Sequence, residues 1–227
     1  YGDYKGTRSP PPIDLPPQIP LIHKLIDALR IKKVIKEGFE ADDVIATLTK
    51  QARAAGKDVI IVTGDKDLCQ LVDDNVMLLD EMRLGRGQDT NEIRREQVIE
   101  KFGVPPERVV DILALAGDSS DNVPGVDGIG EKTAAELVKQ FGDIESVIAH
   151  ADEIKSAARR DKLKSQAEQA RLSKRLASLK DDVDLNEILP EGVESLKYEG
   201  PDKSRLKAFF VEMEFKRLVN DPLVRDV

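Results

Sequence analysis

With 227 residues, 40% of them hydrophobic, the chain carries enough apolar material for one well-formed core, or one core with a smaller satellite. Aromatic residues make up 4% and there is no Trp, so the core is expected to rest on Ile, Leu, Val and Ala, as in a parallel α/β sheet dressed with helices. No apolar stretch approaches the roughly 20 residues that span a bilayer. No secretory leader is visible, and the single Cys69 excludes an internal disulfide framework. The expectation is a soluble protein of the reducing cytoplasm, with no membrane partner and with Cys69 as a small buried hydrophobe. A net charge of −8 argues against a nucleic-acid partner only if charge is spread evenly. A metal site concentrates carboxylates, whereas phosphate binding needs separate basic faces.

The chain opens at Tyr1 with no strand before it, from which an upstream part is expected to be missing. Pro10, Pro11, Pro12, Pro16, Pro17 and Pro20 argue for an extended loop. Leu21, Ile22, Leu25, Ile26 and Leu29 fall at helical spacing. A short strand at Val34-Ile35, a helix from Glu40 to Ala55 and a stop at Gly56 follow. Asp58–Thr63 reads as a strand buried on both faces, because Val59-Ile60-Ile61-Val62 does not alternate. A turn at Gly64-Asp65-Lys66-Asp67, a short helix through Val72 and a strand at Val76–Leu79 complete an order that suggests βαβ units and a parallel sheet. Beyond Asn91 helical patterns dominate: Arg94–Phe102, Pro106–Ala116, Glu131–Phe141, Ile144–His150, Leu163–Leu179 and Lys203–Val219. Residues 1–90 are therefore expected to form the α/β core and 91–227 a helical region packed with it.

Three acidic groups sit where elements turn. Glu40, Asp42 and Asp43 open a helix, where the dipole welcomes one carboxylate but hardly three in four residues. Asp65 and Asp67 lie just past the C-terminal end of a strand, the place where open α/β sheets bind ligands. Asp118 and Asp121 follow an apolar helix. Taken singly, each group reads as ordinary capping or turn chemistry. Together they are seven hard oxygen donors without His or Cys companions, which select Mg²⁺ or Mn²⁺ over Zn²⁺ and suit two ions roughly 4 Å apart. His23 and His150 stand far from these motifs, His23 on a helix surface.

Pro124–Ala134 carries Gly125, Gly128 and Gly130 and runs into a helix. Glycines there allow φ > 0 and close backbone approach, and free N–H groups at a helix start bind anions. Lys132 adds charge on the first turn. The Gly-Lys-Ser/Thr ending of a nucleotide P-loop is lacking, which favours a backbone grip on DNA phosphate that ignores sequence. Lys155, Arg159, Arg160, Lys162, Lys164, Arg171, Lys174 and Arg175 read as solvated surface.

These motifs, in this order and spacing over nearly the whole chain, resemble the 5′-nuclease (5′-3′ exonuclease) domains of bacterial DNA polymerase I, within the flap endonuclease superfamily. The stretches that carry the likeness are Tyr4-Lys5-Gly6-Thr7-Arg8 with its prolines, Glu40–Asp43, Thr63–Asp67, Gly117–Asn122 and Gly125–Lys132. The resemblance implies a PIN-like α/β core with a helical region bearing a helix-hairpin-helix-like DNA clamp. It implies Glu40, Asp42, Asp43 and Asp65 around one Mg²⁺, and Asp67, Asp118 and Asp121 around a second. A K⁺ ion at the glycine turn would join Gly125, Gly128, Gly130, Lys132 and Thr133 in holding a phosphate. Tyr4 would contact the DNA, and Lys5 and Arg8 would act catalytically on the scissile phosphate from the base of an arch. The likeness further implies a monomer, in some relatives fused to a polymerase.

Family members also carry an Asp on a first strand and another shortly before the Tyr-Lys motif. Neither stands in this sequence, so the piece is expected to be metal-poor and inactive by itself. The leading expectation is a two-metal 5′-nuclease acting on DNA flaps, nicks or RNA primers in replication and repair. A non-catalytic DNA-binding module and a PIN-type ribonuclease or phosphatase are the alternatives.

Overall fold

The computed structural model describes residues 1–80 and 92–224; the division expected at residues 90 and 91 lies outside the described residues. The chain falls into two compact units, one of Tyr1–Arg8 with Ala41–Val183 and one of Ser9–Glu40 with Asp184–Val227.

The larger unit holds a three-stranded sheet. β1 (Val59–Val62) pairs in parallel with β2 (Val76–Leu79), in register from Val59–Val76 to Val62–Leu79, and β2 pairs antiparallel with β3 (Glu92–Ile93). The sheet is thus mixed rather than wholly parallel, since β3 enters from the opposite direction. Nor is β1 buried on both faces. Ile61 is 6% exposed, but Ile60 and Val62 are 58% and 65% exposed, so a strand of four apolar residues covers only one of its faces. Between β1 and β2 the chain makes one 3-10 turn, Lys66–Leu71, which buries Leu68 and Cys69, the cysteine completely.

Among the described residues six α-helices accompany α2 (Ala41–Ala54) in this unit, namely α3 (Arg95–Phe102), α4 (Val109–Ala116), α5 (Glu131–Phe141), α6 (Ile144–Ala149), α7 (Ala157–Ser165) and α8 (Ala167–Ala177). A helix that is apolar on every side belongs inside. α4 is such a helix apart from Asp111: Val109, Ile112, Leu113, Ala114 and Leu115 are all fully buried, and α5 and α8 pack against it. The core runs from these residues through Leu78, Val98, Ile144 and Leu163. The expected single helix over Leu163–Leu179 is instead two. Gln166 breaks it at φ −112°, ψ 19°, and the first piece starts earlier because the Ser156 side chain caps it at Arg159 N.

The smaller unit pairs α1 (Ile19–Leu29) with α9 (Lys203–Glu212) around Ala28, Leu206, Phe209, Phe210 and Val224. His23 is half-buried on α1. Pro10, Pro11 and Pro12 lie in a stretch without helix or turn, as expected, whereas Pro16 and Pro17 form a 3-10 turn and Pro20 sits in the first turn of α1, where its missing N–H costs nothing. Val34-Ile35 forms no strand, two apolar residues between lysines being too few to hold an edge. α9 stops at Glu212, because Glu214 turns into the left-handed region at φ 54°. Among the described residues no helix is long and apolar enough to cross a membrane.

Candidate functional site

Where β1 ends, the chain turns through Asp65. Its carboxylate caps the 3-10 turn by accepting the Asp67 N–H at 2.9 Å, while its own N–H donates to Thr63 Oγ1 at 3.0 Å. The cap turns Asp67 inward, and its Oδ1 is buried without a hydrogen-bond partner. Burial, with Asp65 and Asp118 close by, pushes the Asp67 carboxyl up to about 6, against the pull of Lys66; Asp121 adds to the push.

The second acidic group hangs from the end of α4. Asp118 and Val123 form a two-way backbone bridge, with N···O distances of 2.9 and 2.7 Å, which closes a tight loop over Ser119–Asn122. Asp118 is only 8% exposed. Burial alone would raise its carboxyl. Hydrogen bonds from the Ser120 hydroxyl and N–H to Oδ1, and from the Lys66 ammonium to Oδ2 at 2.9 Å, hold it instead at about 2.

The loop's other carboxylate gathers the start of the chain. Asp121 receives Arg8 at 2.5 Å, Lys5 at 3.5 Å and the Tyr4 hydroxyl at 3.4 Å, while the Lys5 N–H donates to the Asp121 carbonyl. Asn122 Nδ2 donates to the Asp3 carbonyl from a left-handed turn position, φ 55°. Residues more than a hundred positions apart thus meet at one loop. Tyr4, Lys5, Arg8, Asp65, Asp67, Asp118 and Asp121 stand in one neighbourhood, Lys66 joining it through Asp118.

The third group is placed differently. Asp42 and Asp43 lie in the first turn of α2, and Asp43 Oδ1 accepts the Lys180 N–H at 2.9 Å. Thr47, one turn on, accepts the Val183 N–H, so this face of α2 straps down residues 180–183. Glu40 is half-buried and belongs to the smaller unit, the division falling at Ala41.

The glycine turn starts at the same loop. Gly125 has φ 62°, and a Cβ there would lie 2.4 Å from Gly117 N; its close approach is to the chain's own backbone. Gly128, at φ 78°, and Gly130 both have nothing within 4 Å of a built Cβ and are open to an outside partner. Gly130 has φ −89°, correcting the expectation of φ > 0 at all three; it is the residue before α5, whose start has no side-chain cap. Lys132 is exposed and Thr133 half-buried on the first turn of α5. Residues that sequence reasoning passed over brace this turn: Ser173 Oγ accepts the Gly125 N–H, Gln169 donates to the Gly125 carbonyl, and Gln166, with Lys162 from the expected solvated surface, holds Asp127. Several of the expected solvated cations are paired too. Arg171 meets Glu145 and Glu168, and Lys174 reaches the buried Asp111 at 2.7 Å.

Lys66 was also missed, although a lysine flanked by two aspartates past a strand end is a signal in its own right. Among the described residues no three His, Cys, Asp or Glu side chains stand ready around a common point. The acids near Asp67 nevertheless suit a hard divalent cation in chemistry: all are carboxylates, and one buried oxygen lacks any partner.

Two consecutive models of one family match the chain, "5'-3' exonuclease, N-terminal resolvase-like domain" over residues 1–103 and "5'-3' exonuclease, C-terminal SAM fold" over residues 104–204. The chain belongs to the 5′-3′ exonuclease family. It is 44% identical over 218 residues to DNA polymerase I of Rhizobium leguminosarum, covering 96% of this chain and 20% of that protein. With the thermostable DNA polymerase I of Thermus thermophilus it shares 41% identity over 221 residues, 97% of this chain and 25% of the relative. This exonuclease-family chain therefore spans a fifth to a quarter of the length of these relatives. In fold it is similar to the T5 D15 protein co-crystallized with metal ions, with TM-score 0.64, 20% identity and coverage of 94% of this chain and 77% of that one. It is also similar to the catalytic core of Rad2 in complex with DNA substrate, with TM-score 0.57, 16% identity and coverage of 95% and 72%. The PIN-like α/β core with a helical region is the fold that the family and these neighbours share.

Proposed function

We propose that the chain is the nuclease part of a protein that hydrolyses phosphodiesters in flapped, nicked or primer-bearing DNA, with a divalent cation, Mg²⁺ or Mn²⁺, in attendance. The observation that carries this reading is the meeting of three sequence-distant motifs: Asp65 and Asp67 past β1, Asp118 and Asp121 past α4, and Tyr4-Lys5-Arg8 from the start of the chain. The glycine turn begins a few residues further on.

In this reading Asp67, Asp118 and Asp121 hold one ion, and Asp42, Asp43 and Asp65 a second. A bound divalent cation supplies Lewis acidity toward the phosphodiester. Lys5 and Arg8 place positive charge beside the phosphate as negative charge develops on it. Tyr4 positions the strand. The open Gly128, the α5 N–H groups at Lys132 and Thr133, and a K⁺ ion grip a duplex phosphate regardless of sequence. Residues 1–90 supply Lys5, Arg8 and most of the acids, 91–227 add Asp118, Asp121 and the grip, and the nuclease acts as a monomer in the cytoplasm, attached to a polymerase as its relatives are.

A 5′-flap duplex incubated with Mg²⁺ and the whole protein of which this chain is the nuclease part tests this directly. Cleavage that EDTA abolishes supports the reading; cleavage unaffected by EDTA defeats the metal requirement. One observation favours a second reading, a module that binds DNA without cutting it: Lys66, Lys5 and Arg8 already neutralise the acids of the loop. Flap binding without cleavage in Mg²⁺ selects that reading.

A further inference from the structure

Lys66 stands in the chain between two candidate metal ligands, yet its side chain serves a third. Its ammonium lies 2.9 Å from Asp118 Oδ2 and 3.5 Å from Glu131 Oε1, at the start of α5. The two carboxylates differ in setting: the Asp118 side chain is 7% exposed, that of Glu131 65%. Both oxygens of Asp118 are in use, Oδ1 by Ser120 and Oδ2 by Lys66. Oδ1 already accepts two bonds from Ser120, so a dication arriving at Asp118 meets the Lys66 ammonium at Oδ2, where like charges repel. Ser120 is fixed by its own backbone two residues on. Lys66 swings on a flexible four-carbon stem and has a second, solvated partner within reach.

We infer that Lys66 is the internal counter-ion of the acidic cluster, holding Asp118 in the metal-free chain, yielding Oδ2 to an incoming divalent cation and moving onto Glu131. The inference rests on the metal-site reading above and adds to it what keeps clustered, mutually repelling acids together before the ion arrives. Lys66 is thus a positioning residue that sets metal affinity by competition, and it links occupancy of the cluster to the first turn of the glycine-turn helix.

Calorimetric titration of the whole 227-residue chain with Mn²⁺ alone, beside thermal unfolding in EDTA, decides it. Lys66→Met should bind Mn²⁺ about tenfold tighter than wild type, the equivalent of ~1.4 kcal/mol. It should also melt at a lower temperature in EDTA. Lys66→Arg, which keeps the charge and grips a carboxylate in bidentate fashion, should bind Mn²⁺ as wild type does or more weakly. Lys139→Met, removing an exposed charge elsewhere on α5, should change affinity less than about twofold, as a screened surface charge does. Equal affinity of Lys66→Met and wild type, with Asp118→Ala losing Mn²⁺, overturns the inference and leaves the metal site standing. Tightening by Lys139→Met as large as that by Lys66→Met overturns it as well, the effect then being one of general charge. If Lys66→Met does not fold, Lys66→Arg decides alone, and tighter binding than wild type overturns the proposal. Absence of Mn²⁺ binding to every protein, wild type included, removes the metal reading and this inference with it.

Discussion

Gly117 and Gly125 touch backbone to backbone: a Cβ built on Gly125 would come within 2.4 Å of Gly117 N, and one on Gly117 within 2.5 Å of the Val123 carbonyl oxygen. Both take positive φ, 74° and 62°. The acidic loop of Asp118 and Asp121 is therefore closed by two residues that tolerate no side chain, and the glycine turn hangs from the same closure. Gly125→Ala combines the ~1–2 kcal/mol of a left-handed non-glycine residue with the ~1–3 kcal/mol of overpacking against immovable backbone. Denaturant titration should show a loss of about 2–5 kcal/mol. Gly128→Ala meets open space and should cost only the first of these, about 1–2 kcal/mol.

Removing the best-connected carboxylate should separate binding from cutting. Asp118→Ala, or chelation of the divalent ion, is expected to abolish flap cleavage. The loss should exceed the 10–100-fold typical of disturbing a residue that merely orients a ligand. Affinity for a flap duplex, measured by fluorescence anisotropy, should change little, because the glycine turn is untouched.

Asp67 gives the cluster a pH signature. With its carboxyl pushed from 3.8 to about 6, the folded chain holds that proton more tightly than the unfolded one. Its contribution to stability is present below 3.8 and is lost as pH rises through about 6. In EDTA, Asp67→Asn should therefore be more stable than wild type at about pH 7.5, and the gain should shrink with falling pH and be largely gone near pH 4. A gain of the same size at both ends would show that the Asp67 charge costs nothing.

The pair between Lys174 and Asp111 is structural. Asp111 is 1% exposed and accepts from Lys174 at 2.7 Å and from the Ile144 N–H at 3.1 Å. Lys174→Met leaves a buried carboxylate with only the more distant Arg108, at 3.5 Å, as charge partner. Breaking such a pair from one side costs about 3–5 kcal/mol, and the remote arginine should keep the measured loss toward the lower end. Arg175→Met on the same helix should change stability by less than about 0.5 kcal/mol, as an exposed surface change does.

The elements that local chemistry specifies were readable from the residues alone. Apolar spacing places α5 over Glu131–Phe141, the expected span, and the Val76–Leu79 strand likewise, because side-chain period is a near-neighbour property. The motif residues were legible too, as acids and glycines crowded where elements turn. Tertiary structure alone decided which of them meet. Nothing in the spacing of Lys66 says that it reaches Asp118, or that Tyr4, Lys5 and Arg8 converge on Asp121, since those contacts depend on how distant surfaces pack. The same holds for the errors: the exposed face of β1 has nothing packed on it among the described residues, Gln166 at the helix break is held by Asp127, and Gly125 is used inward against Gly117, none of which the local pattern states. A sequence lists the groups able to hold a cation or a phosphate; only the packed chain sets their charges side by side, because electrostatic cost and gain are fixed by distance and burial, which local sequence does not determine.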